Sequence, residues 1–316
     1  MTTYERFEYL EIDEQPRAVR PAPAPKTRTR AEPSAGKLVV DEVIGRFGAG
    51  IGEFNCPAGL AVDPHGNLYV ADSYNHRIQK IMADGKVAVI GSRGTTPGRF
   101  LNPQDIALDA HLSIFVLEQG NCRIQKISFD ARLEMVIGQR GDRPGEFNSP
   151  MGMAIDRRGS ILIADTGNGR LQKLSPSGAP VFCVGGGKDR QLYGPQGVEV
   201  DGVGNCYIAD TFSHCVVKFD ANGREVARFG CRGTSVGQFE EPQDLVLDQQ
   251  GRLYVIEMAN NRLQVFDSEN RCTACFEGST RAIGRLSGPT GVAVGPSGEI
   301  YVSDTVNHRI LRMIWR

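Results

Sequence analysis

Proline recurs at Pro57, Pro103, Pro150, Pro195, Pro242 and Pro289, at intervals of 46, 47, 45, 47 and 47 residues. The stretch from Pro57 to Ile81 shows what each interval holds. Two alternating segments, GLAVD and NLYVAD, read as strands, and a third strand, RIQKI, follows a polar loop. The first two are joined by Asp63-Pro64-His65-Gly66, which suits a type I turn closed by a glycine in the left-handed region. Self-similarity at this period marks an array of equivalent supersecondary units, and that constraint outranks any single-residue reading.

At the loop before the third strand the chain carries Asn75-His76-Arg77-Ile78 and again Asn307-His308-Arg309-Ile310. On these motifs, over residues 40–316, the chain resembles the NHL-repeat family, named for an Asn-His-Leu signature. The resemblance implies an all-β fold, a six-bladed β-propeller of four-stranded antiparallel blades. Residues 42–48, EVIGRFG, align with 224–230, REVARFG, the fourth strand of a repeat, while the last repeat stops after its third strand. An N-terminal strand is therefore expected to complete the last blade and close the ring, removing exposed strand edges.

Residues 37–316 are expected to form the propeller and 1–36 a disordered tail with a proline-rich basic linker. In 1–15 five carboxylates face Arg6, giving −4, and in 16–36 five basic residues face Glu32, giving +4. The acidic start lacks a signal-peptide pattern and no apolar run is long enough to span a membrane, so the expected location is cytoplasmic, with no membrane partner. A net charge of −1 gives no general pull toward nucleic acid. The eight cysteines show no repeated pairing, and Cys272-x-x-Cys275 lacks a second half, so they read as small buried hydrophobes.

Acids recur at Asp72, Glu118, Asp165, Asp210, Glu257 and Asp304, with arginines five residues on at 77, 123, 170, 262 and 309. A pair written into five of six units reads as scaffolding, a bidentate bridge fixing a tight loop. Asn75, Asn121, Asn168, Asn260 and Asn307 are expected to cap the same loop. The fourth unit departs: Cys215 replaces the arginine, Ser213 the asparagine, and Glu199 a small residue, so Asp210 is expected to lose its partner. Phe54, Phe100, Phe147, Leu192, Phe239 and Leu286 are expected to wedge between blades. His76, His214 and His308 share one register, but equivalent positions in neighbouring blades lie too far apart for one metal ion, so no metal site is expected.

Beside the anchor prolines, nearer the axis, fall Gln104, Gln196 and Gln243, then Asp105 and Asp244. The two aspartates belong to units two and five, which face each other across a six-fold ring. Some relatives, lyases that cleave peptidyl-hydroxyglycine, place metal-binding histidines near the axis; this chain has none there. The function expected is a non-enzymatic platform, monomeric and without cofactor, binding a protein or peptide on the long-loop face. Candidate contacts are the rings Tyr74, Phe212, His76, His214 and His308 and the arginines Arg93, Arg99, Arg140, Arg143, Arg190, Arg232 and Arg281. Single-stranded RNA on the same face is the alternative. A metal-dependent lyase or lactonase-like enzyme with its site at the channel mouth is the third reading.

Overall fold

A computed structural model describes residues 36–186, 191–280 and 283–316. The expected tail, residues 1–35, and the candidates Arg190 and Arg281 lie outside the described residues. Six four-stranded antiparallel sheets are arranged as a ring, each sheet one blade. Blade one runs Pro57–Val62, Leu68–Asp72, Arg77–Ile81 and Val87–Ile90 in spatial order from axis to rim. Each first strand packs on the next, and that of blade six, Gly291–Val294, packs back on Pro57–Val62. The molecule is the expected six-bladed propeller.

Closure comes from both ends of the chain. Leu38–Ile44 pairs with Arg309–Trp315 as the outer strand of blade six, from Leu38 opposite Trp315 to Ile44 opposite Ile310. Lys37 and Arg316 extend the ladder with reciprocal backbone bonds of 2.7 and 3.1 Å. The alternation that makes each strand also makes the core, because the two faces of every blade press on its neighbours. Phe239, Leu245 and Phe266 of blade five, for instance, meet Ala209 and Val216 of blade four. The six wedge residues, Phe54, Phe100, Phe147, Leu192, Phe239 and Leu286, are buried as expected.

Small polar staples join the blades near the axis. The hydroxyls of Ser73, Thr166, Thr211 and Thr305 donate to the carbonyls of Pro103, Pro195, Pro242 and Pro57 at 2.6, 2.6, 2.7 and 2.8 Å. Each acceptor is the anchor proline of the following blade, which opens the first strand just before a shift in register. The turns between first and second strands occupy one rim. The long connections between blades occupy the other, around the axial channel.

Candidate functional site

The recurring polar residues form one network per blade. In blade one Asp72 is fully buried and accepts from Arg77 Nε at 2.7 Å, Asn75 Nδ2 at 2.9 Å and the backbone of Asn55 at 2.7 Å. Arg77 then spends its remaining donors on the long connection, on the carbonyls of Ala49, Gly50 and Glu53 at 2.8, 2.6 and 2.9 Å. Gln79 completes the set, donating to Glu53 O at 2.7 Å and accepting from Gly52 N at 2.9 Å. Buried carboxylates and guanidinium groups are tolerated when every lone pair and proton is used. The same arrangement recurs at Arg123 with Gln125, Arg170 with Gln172 and Arg262 with Gln264. Sequence reasoning found the pair and missed the glutamine, although it stands two residues after four of the five arginines, with Leu311 in its place in blade six.

Blade four solves the same problem differently, and the expectation that Asp210 has lost its cation is corrected. Arg228, from the fourth strand Glu225–Phe229, lies 3.5 Å from Asp210 and donates to Cys215 Sγ at 3.3 Å. The fit is looser: Asp210 Oδ2 has no hydrogen-bond partner, and burial raises this carboxyl above its ordinary range. Burial also raises the Cys215 thiol, the reverse of what a nucleophile needs.

The three histidines each have a structural task. His76, His214 and His308 sit at φ of 57°, 52° and 56°, a left-handed conformation that histidine tolerates better than most side chains. Each Nδ1 accepts from the backbone N–H just before the next anchor proline: Asn102 at 3.1 Å, Glu241 at 3.2 Å and Cys56 at 3.0 Å. In blade five Asn261 does the same with its amide oxygen, to Gly288 N at 2.8 Å. Tyr74 and Phe212 stand exposed on the long-loop face, as do Arg93, Arg99, Arg140, Arg143 and Arg232. Arg232 is paired with Glu240 at 3.0 Å, and Arg140 reaches Gly120 O at 3.4 Å.

At the channel mouth the first strands bring together Gln104, Asp105, Met151, Gln196, Gln243, Asp244 and Thr290 around a cavity of about 40 Å³. That is room for a water-sized group or a small headgroup, well below the volume of a drug-sized site. Asp105 accepts from Ile106 N at 2.8 Å and, across to blade three, from Met153 N at 2.7 Å. Asp244 repeats this with Leu245 N at 2.8 Å and Val292 N of blade six at 2.9 Å. Glycines make the room: a Cβ on Gly59 would stand 2.3 Å from Asp105 Oδ1, and one on Gly197 2.8 Å from Asp244 Oδ1. Two residues along from Gly197, Glu199 accepts from Val200 N at 2.7 Å and from the backbone of Leu247 in blade five.

No lysine, arginine or histidine lines this cavity. Its acids therefore ionise without a counter-ion. Desolvation in the channel and then the charge of Asp244 raise Asp105 well above the ordinary carboxylate range. Desolvation pushes Asp244 to about 7 against its two backbone hydrogen bonds, and Glu199 also to about 7. The amides of Gln104, Gln196 and Gln243 have no hydrogen-bond partner among the described residues, although Gln243 is only 6% exposed. Among the described residues no three His, Cys, Asp or Glu side chains are grouped to hold a metal ion, so the mouth does not fit a metal centre of the histidine-bearing kind.

The model of the NHL repeat matches residues 54–81, 147–174 and 286–313, the cores of blades one, three and six. The fold is a six-bladed propeller, and three of its blades carry a recognised NHL repeat. Among solved structures it is similar to a streptogramin B lyase, with a TM-score of 0.63, 10% identity and coverage of 89% of this chain and 98% of that one. A gluconolactonase from Xanthomonas campestris gives a TM-score of 0.64 at 17% identity, covering 90% and 99%. The nidogen/laminin complex gives 0.58 at 19%, covering 75% and 84%. No curated protein matches the chain in sequence. Likeness at these identities concerns the fold alone.

The expectation of a non-enzymatic protein- or RNA-binding platform is corrected by this comparison: the six-bladed architecture is shared with a lyase and a gluconolactonase, so the fold admits an enzyme. The physical reason lies at the axis. Exposed rings and arginines on the rim suggested an interface, whereas the channel mouth holds two carboxyls raised by burial, Asp105 and Asp244. Among the described residues no helix is long and apolar enough to cross a membrane.

Proposed function

We propose that the channel mouth is the working site of this propeller and that it performs acid–base chemistry on a small polar molecule. Asp105 and Asp244 are the acid and the base. The observation carrying this reading is that two carboxyls from opposite blades line one cavity with no cation beside them. Each then makes ionisation of the other harder, so near neutrality one holds a proton while the other is charged. The protonated carboxyl donates to a leaving or developing oxygen, and the ionised one accepts a proton from the attacking or departing group. Gln104, Gln196 and Gln243 supply uncommitted amide groups that orient the substrate. Lactone-opening and lyase reactions of the kinds named for the structural neighbours are compatible with such a pair.

The test is turnover of a panel of small lactones, esters and amides, with and without amino substituents, between pH 5 and 9. The reading expects a bell-shaped pH profile on at least one class and a loss of about 100-fold or more in both Asp105→Asn and Asp244→Asn. Turnover that survives both substitutions, or a panel with neither turnover nor binding, contradicts it.

A further inference from the structure

We infer that the group this mouth receives is an organic ammonium, the charged end of a small amine. The inference rests on the channel mouth being the functional site and names the class of molecule that enters it.

Three features of the cavity select that chemistry. First, Asp105 and Asp244 face it from opposite sides, and each carboxylate oxygen uses one lone pair on a backbone N–H, leaving others to accept. Second, its polar side chains offer oxygen acceptors at several angles: the unpartnered amide of Gln243, a residue 94% buried, the amides of Gln104 and Gln196, and the Thr290 hydroxyl, which bonds Thr305 at 2.7 Å. An ammonium group is a point charge with up to three donors, and this ring of acceptors is its complement. Third, nothing positive lines the wall, so an entering anion finds no attraction and an entering cation offsets the desolvation that holds the carboxyls protonated.

Size and donor set narrow the choice among cations. A cavity of about 40 Å³ admits a headgroup while the rest of the molecule stays on the long-loop face. A hard metal ion wants six or more oxygens converging at fixed distance, with several carboxylates among them. Here the carboxylates are two, opposed, and tied to the backbone.

Binding must therefore be coupled to protons. A cation favours the ionised carboxyls, so each ammonium bound drives protons from the mouth to the buffer, and affinity rises as pH passes through about 7. The experiment is calorimetry with methylammonium and ethanolamine as probes, at pH 6 and pH 8, each in two buffers of different ionisation heat. Methanol and Ca²⁺ serve as the neutral and metal controls. The expected result is binding of both amines, several-fold tighter at pH 8, with a buffer-dependent heat that reports proton release. Asp105→Asn and Asp244→Asn should each weaken it about tenfold or more. Gln243→Leu, which removes no buried charge, should weaken it while leaving the melting transition intact, so a folding defect in the aspartate variants leaves the test standing. Ca²⁺ binding in place of the amines, equal binding of methanol, or no amine binding at pH 8 overturns the inference. Aspartate-dependent turnover of neutral lactones without amine binding sinks this inference alone and leaves the acid–base reading intact.

Discussion

Arg170 is held by Asp165 at 2.7 Å and itself holds three carbonyls of the connection that precedes it, those of Asp142, Arg143 and Glu146. Its side chain is 9% exposed and that of Asp165 is fully buried. Removing it strands a buried carboxylate and frees a loop, so Arg170→Ala should cost about 3–5 kcal/mol in denaturant unfolding. The exposed pair of Arg46 and Glu53 gives the contrast, since an Arg46→Ala change should stay within about 0.5 kcal/mol. The channel acids invert the usual pH dependence of carboxylates. Asp244 binds its proton more tightly in the folded protein, up to about 7 against 3.8, so its stabilising contribution is present in acid and lost as pH rises through 7. Each such group lowers stability by about 1.4 kcal/mol per pH unit across that window. An Asp244→Asn variant should therefore show a flatter stability profile between pH 4 and 7 than the native protein, measured by chemical denaturation.

At the scale of the element, the connection between blades is defined by backbone geometry as much as by side chains. The residue before each anchor proline is left-handed in all six blades, at Cys56, Asn102, Ser149, Gly194, Glu241 and Gly288. A left-handed backbone turns its N–H toward the preceding blade, where His308, His76, His214 and Asn261 accept four of these donors. His76→Asn should therefore be nearly neutral, because asparagine accepts the left-handed conformation and performs this task in blade five. His76→Ala should cost about 1 kcal/mol in thermal unfolding. The staple needs an unprotonated Nδ1. Burial and then Arg93 lower the His76 pKa, so its contribution is complete above about pH 6.5 and is lost as pH falls through the folded value.

For the whole molecule, the strand from the N-terminal side is what makes a ring of a linear array. Deleting residues 37–48 exposes the edge of Arg309–Trp315 along its length, and the expected product is insoluble or aggregated on size-exclusion chromatography. A soluble, cooperatively melting monomer would refute that role. Blade number, strand order and the buried wedges were legible in the sequence because each is written several times over, and closure because an N-terminal segment matches the strand that the last repeat lacks. Less legible was whatever joins distant residues or one blade to the next. Gln79 reaches a loop 26 residues away, and the Nδ1 of His308 meets a residue 252 positions earlier. Arg228 takes over from a missing arginine through a different strand, which no register comparison could show. The acids at the mouth were visible as breaks in the repeat, but their electrostatic state follows from what surrounds them in three dimensions: opposing carboxylates, uncommitted amides and no cation. The most direct measurement is the carboxyl ¹³C titration of Asp105 and Asp244 by NMR, each assigned from its asparagine variant. The account predicts coupled titrations, with Asp244 near 7 and Asp105 well above 3.8, its ordinary value. Two independent midpoints near 4 would contradict it.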